Sequence, residues 1–381
     1  MKKKDVSVQL LRCIACLIVV FLHSKPNMLI PSEEPFERIV LSCLLSDGVS
    51  IFLIITGFFY MKGEKYGVVL KKGFLRVVVP SMLLMLFCLV FSGWLNGKMS
   101  IAQSVLSFNL LDIKYIFIEL LSGNVTLVTH CSHLWYVCAY ICVLLWFPLI
   151  KRFDSNDKEI CIQKYVLMAL SFAYILLTTL SDRLEFFMLV NLKNYNVIPT
   201  TILFVLIGDE IYRNIEKIKR NWLARIGGLV VFIGFNILRA YDYYNSQVFL
   251  QKGSNVLLWS SVYGVICATG FTLFILSFEI RESFFEKVII WIAKYTFPIY
   301  LIHFVILGTL YCYNNSIRYV LYDYFVGDSL SFSRYVLFVI VYGLIIFVMS
   351  LLIAIIIDLI KRGAKNLVNK IIVSNKAMNN E

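Results

Sequence analysis

Apolar residues in this chain fall in long stretches separated by short charged gaps. Ten stretches have the length and character of membrane spans: 10–28, 44–61, 77–95, 133–150, 165–180, 197–212, 223–241, 255–278, 288–312 and 335–360. The hydrocarbon core of a bilayer is about 30 Å thick and a helix rises about 1.5 Å per residue, so about 20 residues cross it. The stretches at 165–180 and 197–212 are the shortest. Backbone polar groups find no water in lipid and must bond within their own segment, which makes the spans helices rather than strands. The pattern predicts an all-α polytopic membrane protein of about ten transmembrane helices. Between 96 and 132 a half-apolar run at 101–121 carries Asp112, Lys114 and Glu119. That run is predicted to lie at the interface or to re-enter the bundle.

Composition agrees. Hydrophobic residues make up 60% of the 381, against roughly 45–50% in soluble domains. No soluble chain of this length hides so much apolar surface. The organisation is accordingly one membrane domain, residues 1–361, followed by a basic tail, 362–381, that rests against anionic headgroups.

The net charge of +12 changes the picture through its placement. Basic residues crowd alternate gaps: Lys2, Lys3 and Lys4; Lys62, Lys65, Lys71, Lys72 and Arg76; Lys151, Arg152, Lys158 and Lys164; Arg213, Lys217, Lys219 and Arg220; Arg281 and Lys287; then Lys361 onward. The gaps between hold few, such as Lys98 and Lys114 or Lys252 alone. This is the positive-inside distribution, and it places both termini in the cytoplasm. The excess is a topology signal, and no nucleic-acid partner is expected. No small-residue cleavage site follows the first apolar run, so that run reads as a retained helix.

Most of the ten cysteines sit in apolar stretches, where cysteine behaves as a small hydrophobe. Cys13 and Cys16 have CxxC spacing but lie within the first span, where packing is the simpler role. Cys131 and Cys312 fall in outward gaps, where pairing is open to them. No metal-ligand set and no phosphate-cradling glycine loop is present.

Ionisable residues inside spans are costly and mark function by default. Arg12 and His23 are eleven residues apart, which brings them within about 20° of one helix face and separates them by about 16 Å along the axis. The alternative is that Arg12 snorkels to the inner surface and His23 caps a helix near the interface. Only four histidines occur, at 23, 130, 133 and 303. His133 opens the fourth span and His303 lies in the outer half of the ninth, so three imidazoles share a depth at which they can line one cavity. Trp135 and Tyr136, beside His133, suit an interfacial belt as well as a cavity wall.

Residues 11–24, Leu-Arg-Cys-Ile-Ala-Cys-Leu-Ile-Val-Val-Phe-Leu-His-Ser, resemble the opening of the membrane-bound acyltransferase 3 family, whose hallmark is Arg, ten residues, then His. Residues 47–59 resemble that family's Gly-Val-x-x-Phe-Phe-x-x-Ser-Gly-Phe block, with Thr56 in place of Ser. Leu-Arg-Val-Val-Val-Pro at 75–80, His-Leu-Trp-Tyr at 133–136 and Tyr-Thr-Phe-Pro-Ile-Tyr-Leu-Ile-His at 295–303 follow in the family's order. One departure is Gly73, where the family commonly has the first of two arginines; Arg76 is the second.

The resemblance implies transfer of an acyl group, usually acetyl, from cytoplasmic acyl-coenzyme A to a hydroxyl of an extracytoplasmic glycan or lipid-linked sugar. Its setting would be the cytoplasmic membrane of a bacterium. Acetyl-CoA would be a donor substrate, with no permanently bound cofactor. Arg12, Lys71, Lys72 and Arg76 then form a donor-binding inner mouth for the polyanionic coenzyme. His23 serves as base or acyl relay, since an imidazole of pKa about 6.5 suits that task at neutral pH. Asp47 either orients an imidazole or caps the second span. His133, Trp135, Tyr300 and His303 line the acceptor side. A transporter or flippase of a glycan precursor, or a non-catalytic partner of a polysaccharide synthase, are the competing readings.

The alternating gaps predict that reporter fusions at Ser155 and at Asn245 report opposite sides of the membrane; the same side for both would overturn this topology.

Overall fold

In a computed structural model of the protein, the described residues are 5–25, 35–60, 65–123, 125–153, 155–184, 199–248, 260–280, 284–313, 317–327 and 331–378. All regular structure among them is helical. The first helices are α1 (Val6–Ser24), α2 (Phe36–Leu44), α3 (Gly48–Tyr60), α4 (Tyr66–Gly73) and α5 (Val79–Val90). A connecting segment holds α6 (Ile101–Ser107) and α7 (Ile113–Ser122), before α8 (Trp135–Arg152) and α9 (Lys158–Leu184). Then come α10 (Thr200–Arg213), α11 (Trp222–Val248) and α12 (Val262–Leu276). The chain closes with α13 (Phe284–Ala293), α14 (Thr296–Cys312), α15 (Ile317–Phe325) and α16 (Phe332–Met378).

Among the described residues, seven helical segments are long and apolar enough to cross a membrane: Val6–Ser24, Phe36–Phe59, Tyr66–Val90, Ser132–Arg152, Lys158–Thr179, Trp222–Ser246 and Phe332–Asn366. α13 and α14 together make an eighth, bent by 60°. The other two of the ten anticipated stretches are α10 and α12, of 14 and 15 residues. At 1.5 Å per residue these reach only about 21–23 Å, short of the hydrocarbon thickness. Stretch ends at 26–28, 61, 197–198 and 255–259 lie outside the described residues, as do Lys2, Lys3, Lys4, Lys62, Lys252 and Arg281. Residues 362–378, expected as a separate basic tail, continue the 47-residue helix α16.

Small residues set the closest helix contacts, as they do where lipid supplies no hydrophobic drive for association. α3 and α10 touch backbone to backbone. A Cβ on Gly57 would stand 2.2 Å from the Val205 carbonyl oxygen, and one on Gly208 2.0 Å from that of Ile54. α11 and α12 close on each other through Gly228 and Gly270 in the same way. The polar end of α10 is held by charge: Lys164 Nζ lies 3.1 Å from Asp209 and 2.7 Å from Glu210, and Arg213 also bonds Asp209. α1 is the central helix, packed against α3, α13, α14 and α16.

The segment of α6 and α7 folds back onto the bundle. Ser100 and Gln103 form a reciprocal cap at the start of α6. Buried Glu119 on α7 accepts the backbone N–H groups of Leu127 and Val128, which shapes the turn leading to His130 and His133. The thiols of Cys131 and Cys312 are free, so the pairing left open by sequence is not made. The Cys131 thiol instead makes a hydrogen bond with the free thiol of Cys88, and the Cys312 thiol reaches Asn96 at 3.7 Å.

Gly57→Ala is expected to cost about 1–3 kcal/mol by overpacking and to lower the unfolding midpoint in detergent. Gly234→Ala, with nothing within 4 Å of the added methyl, is expected to leave the midpoint unchanged or raise it. Equal midpoints for Gly57→Ala and wild type would mean that α3 and α10 do not meet at this point.

Candidate active site

The site is built where α1 runs beside the broken span α13–α14. A helix break frees backbone carbonyls, and within a membrane they need donors from nearby groups. Here the N–H groups of Lys294 and Tyr295 turn back to the carbonyls of Trp291 and Ile292. α1 is fastened to both arms of the bend: the Cys13 thiol donates to the Ile289 carbonyl at 3.6 Å and the Cys16 thiol to that of Thr296 at 3.4 Å. The Thr296 hydroxyl turns back to the Ala293 carbonyl at 3.0 Å. It also accepts from Arg12 Nη2 at 3.2 Å, while Arg12 Nη1 bonds Gln9 at 3.2 Å. The CxxC pair thus ties two elements together through backbone carbonyls.

Arg12 lines a cavity of about 460 Å³. Lys72 and Arg76 line it too, from the span formed by α4 and α5. Between those helices, residues Phe74–Val78 form a π-helical turn. Pro80 has no N–H to give the Arg76 carbonyl four residues back, and the widened turn absorbs the misfit. Gly73 lies at the same wall. A Cβ there would come 2.7 Å from a Leu144 methyl and 3.0 Å from the Tyr140 hydroxyl, so Leu144 and Tyr140 fill the space a longer residue would need. Lys71 is exposed and lies outside the cavity lining. From this basic end the walls become aromatic, through Phe52, Phe59, Tyr136 and Tyr140 to Phe297 and Tyr300.

Tyr300 joins the cavity to the histidines. Its hydroxyl donates to the main-chain oxygen of His133, and its own carbonyl lies 2.7 Å from His303 Nδ1. The next carbonyl, of Leu301, lies 3.2 Å from His133 Nε2. A carbonyl only accepts, so the nitrogen facing it carries the hydrogen. His303 therefore keeps its lone pair on Nε2 and His133 on Nδ1, and both atoms are buried with no hydrogen-bond partner. His23 completes the group: its ring centroid is 5.4 Å from that of His303, which is 5.1 Å from that of His133. Three imidazoles from α1, the α8 entry and α14 thus meet around one point. Arg12 and His23 both lie against α14, Arg12 at its first residue and His23 at His303 and Phe304. His130, the fourth histidine, packs its ring on Gly308 with φ of 59°.

Asp47 lies elsewhere in the network. Its carboxylate takes a 2.9 Å hydrogen bond from Arg239 Nη1, and the two side chains are 1% and 0% exposed. Trp135 is half-buried and does not line the cavity, whereas its neighbour Tyr136 does, bonded to Thr56. Sequence reading passed over Arg239, although a charge inside the apolar stretch 223–241 is a signal of a buried partner. It also passed over Tyr140, which shares a helix face with Tyr136 at i, i+4 spacing.

These helices, with a basic and aromatic cavity whose Tyr300 wall lies against clustered imidazoles, define a multi-pass membrane protein with a polar site between its helices. The acyltransferase domain matches residues 5–359, nearly the whole chain, and the chain belongs to the acyltransferase 3 family. No curated protein and no solved structure matches it.

Breaking the buried Asp47–Arg239 pair with Asp47→Asn leaves an uncompensated guanidinium and is expected to cost about 3–5 kcal/mol. Thermal unfolding should show the loss, with turnover per folded molecule retained. Normal stability combined with lost turnover would instead put the Asp47 carboxylate to work in the reaction.

Proposed function

We propose that the protein moves an acyl group, acetyl in the simplest case, from cytoplasmic acyl-coenzyme A to a hydroxyl of an extracytoplasmic glycan or lipid-linked sugar, in the cytoplasmic membrane of a bacterium. The observation that carries this reading is the single cavity whose lining joins Arg12, Lys72 and Arg76 to Tyr300, whose ring lies against those of His133 and His303 in the imidazole cluster. Cations suit the phosphates of the coenzyme, which form charge-assisted hydrogen bonds with guanidinium and ammonium groups. The aromatic walls suit its uncharged arm and exclude water from the thioester.

The chemistry needs a base at the far end. A sugar hydroxyl is a poor nucleophile until its proton is taken, and a neutral imidazole takes it as the new bond forms. The hydroxyl oxygen bonds to the acyl carbon, the carbon–sulfur bond breaks, and the proton passes from the imidazole to the departing thiolate. The products are an ester and free coenzyme A. His23 is the group for this step, being half-buried where the other two rings are closed off. His303 and His133, with lone pairs held inward, orient the reacting groups.

Kinetics on purified protein test the reading. Arg12→Ala and Arg76→Ala are expected to raise the donor KM through loss of a charge-assisted contact, about 1.5–3 kcal/mol each. His23→Ala is expected to lower kcat by about 10²–10⁴-fold with donor binding intact. Near-normal turnover of His23→Ala per folded molecule would overturn acyl transfer at this site and favour a transporter of the glycan precursor.

A further inference from the structure

The imidazole cluster has a fourth aromatic member that the mechanism above leaves idle. Phe304 follows His303 on α14, and its ring centroid stands 5.1 Å from that of His23 and 5.0 Å from that of His133. It meets His23 edge-on at 87° and lies nearly parallel to His133 at 24°. The half-buried phenyl group therefore stands against both imidazoles at once. It is also absent from the lining of the donor cavity, which ends at Phe297 and Tyr300 one turn earlier on the same helix.

We infer that Phe304 sets the length of the acyl group, closing the space beyond the reacting carbon so that short acyl chains are used and longer ones are refused. The inference rests on the acyl-transfer reading. A thioester delivered through the cavity brings its sulfur from the Tyr300 side. Its carbonyl carbon must come within about 3–3.5 Å of the reacting atoms to react. The carbons beyond the carbonyl then point away from the sulfur, past the imidazoles and toward Phe304. An acetyl group has one methyl to place there. Each further methylene must either displace the phenyl ring or bend back toward the cavity. A pocket wall of this kind discriminates weakly per carbon and cumulatively over a chain.

The test uses membranes of the parent cell, freed of the chromosomal copy and carrying wild-type or variant protein, so that the natural acceptor is present. Radioactive acetyl-CoA and butyryl-CoA are supplied separately, and label in the glycan fraction is counted. Wild type should strongly prefer acetyl. One buried methylene corresponds to about a fourfold change, so Phe304→Ala should raise the butyryl-to-acetyl ratio of kcat/KM by about 15-fold for two methylenes. Phe304→Leu keeps the apolar packing and should give a smaller rise in the same direction. An unchanged ratio in variants that still transfer acetyl would overturn the inference while leaving acyl transfer standing. Loss of all transfer in both variants would overturn it too, by making the ring part of the reacting fit rather than a limit on length. If wild type passes no label from either donor, the acyl-CoA reading itself fails, and this inference with it.

Discussion

A broken helix inside a membrane must find hydrogen-bond partners for the backbone it exposes, because the hydrocarbon offers none and each orphaned group costs several kcal/mol. The 60° bend between α13 and α14 creates that demand. The Thr296 hydroxyl answers it at the Ala293 carbonyl, and α1 braces both arms of the bend with two thiols, at Ile289 and Thr296, and with a guanidinium on that hydroxyl. Everything in the site follows from this contact. Because α14 starts against Arg12, Tyr300 falls at the end of the basic cavity and His303 falls opposite His23. The CxxC pair earns its place as a backbone fastener, in a setting where redox chemistry or metal binding would have needed exposure or further ligands.

The segment of α6 and α7 completes the arrangement. Glu119 gathers two consecutive N–H groups and so bends the chain toward the bundle. His133 then enters at the head of α8, with its ring on the Leu301 carbonyl and its own main-chain oxygen on Tyr300. The His133 ring is thereby fixed between its own short helical turn and α14. The ion pair of Asp47 with Arg239 and the Lys164 cluster serve a different purpose. They neutralise charges on helices that would otherwise carry them unpaired in a low-dielectric interior.

Much of the architecture was legible in the sequence because hydropathy and charge alternation report directly on a membrane. Helical character throughout and a multi-pass bundle follow from stretch lengths alone. The number of full spans did not, since 197–212 and 255–278 become helices of 14 and 15 residues. The α13–α14 bend was hidden too, inside one continuous apolar stretch. Periodicity placed Arg12 and His23 on one face of α1, but only the fold says which helix that face meets. It also could not distinguish Tyr136, which lines the cavity, from Trp135, which does not. For Asp47 the sequence offered an imidazole or a helix end; the carboxylate meets Arg239, 192 residues away, and no local pattern encodes that distance.

The hydrogen bonds that fix the two buried imidazoles have a mechanical side. His303 bonds the carbonyl of Tyr300 and His133 that of Leu301, adjacent residues of one helix. Neither ring can swivel without breaking its bond, and neither carbonyl can move without the other. His303 rides on α14 itself, whereas His133 hangs from the head of α8 and is tethered to that helix by one bond. A small roll of α14 would carry the first ring and tug the second, so the tether couples the spacing of the two nitrogens to the seating of α8 on α14.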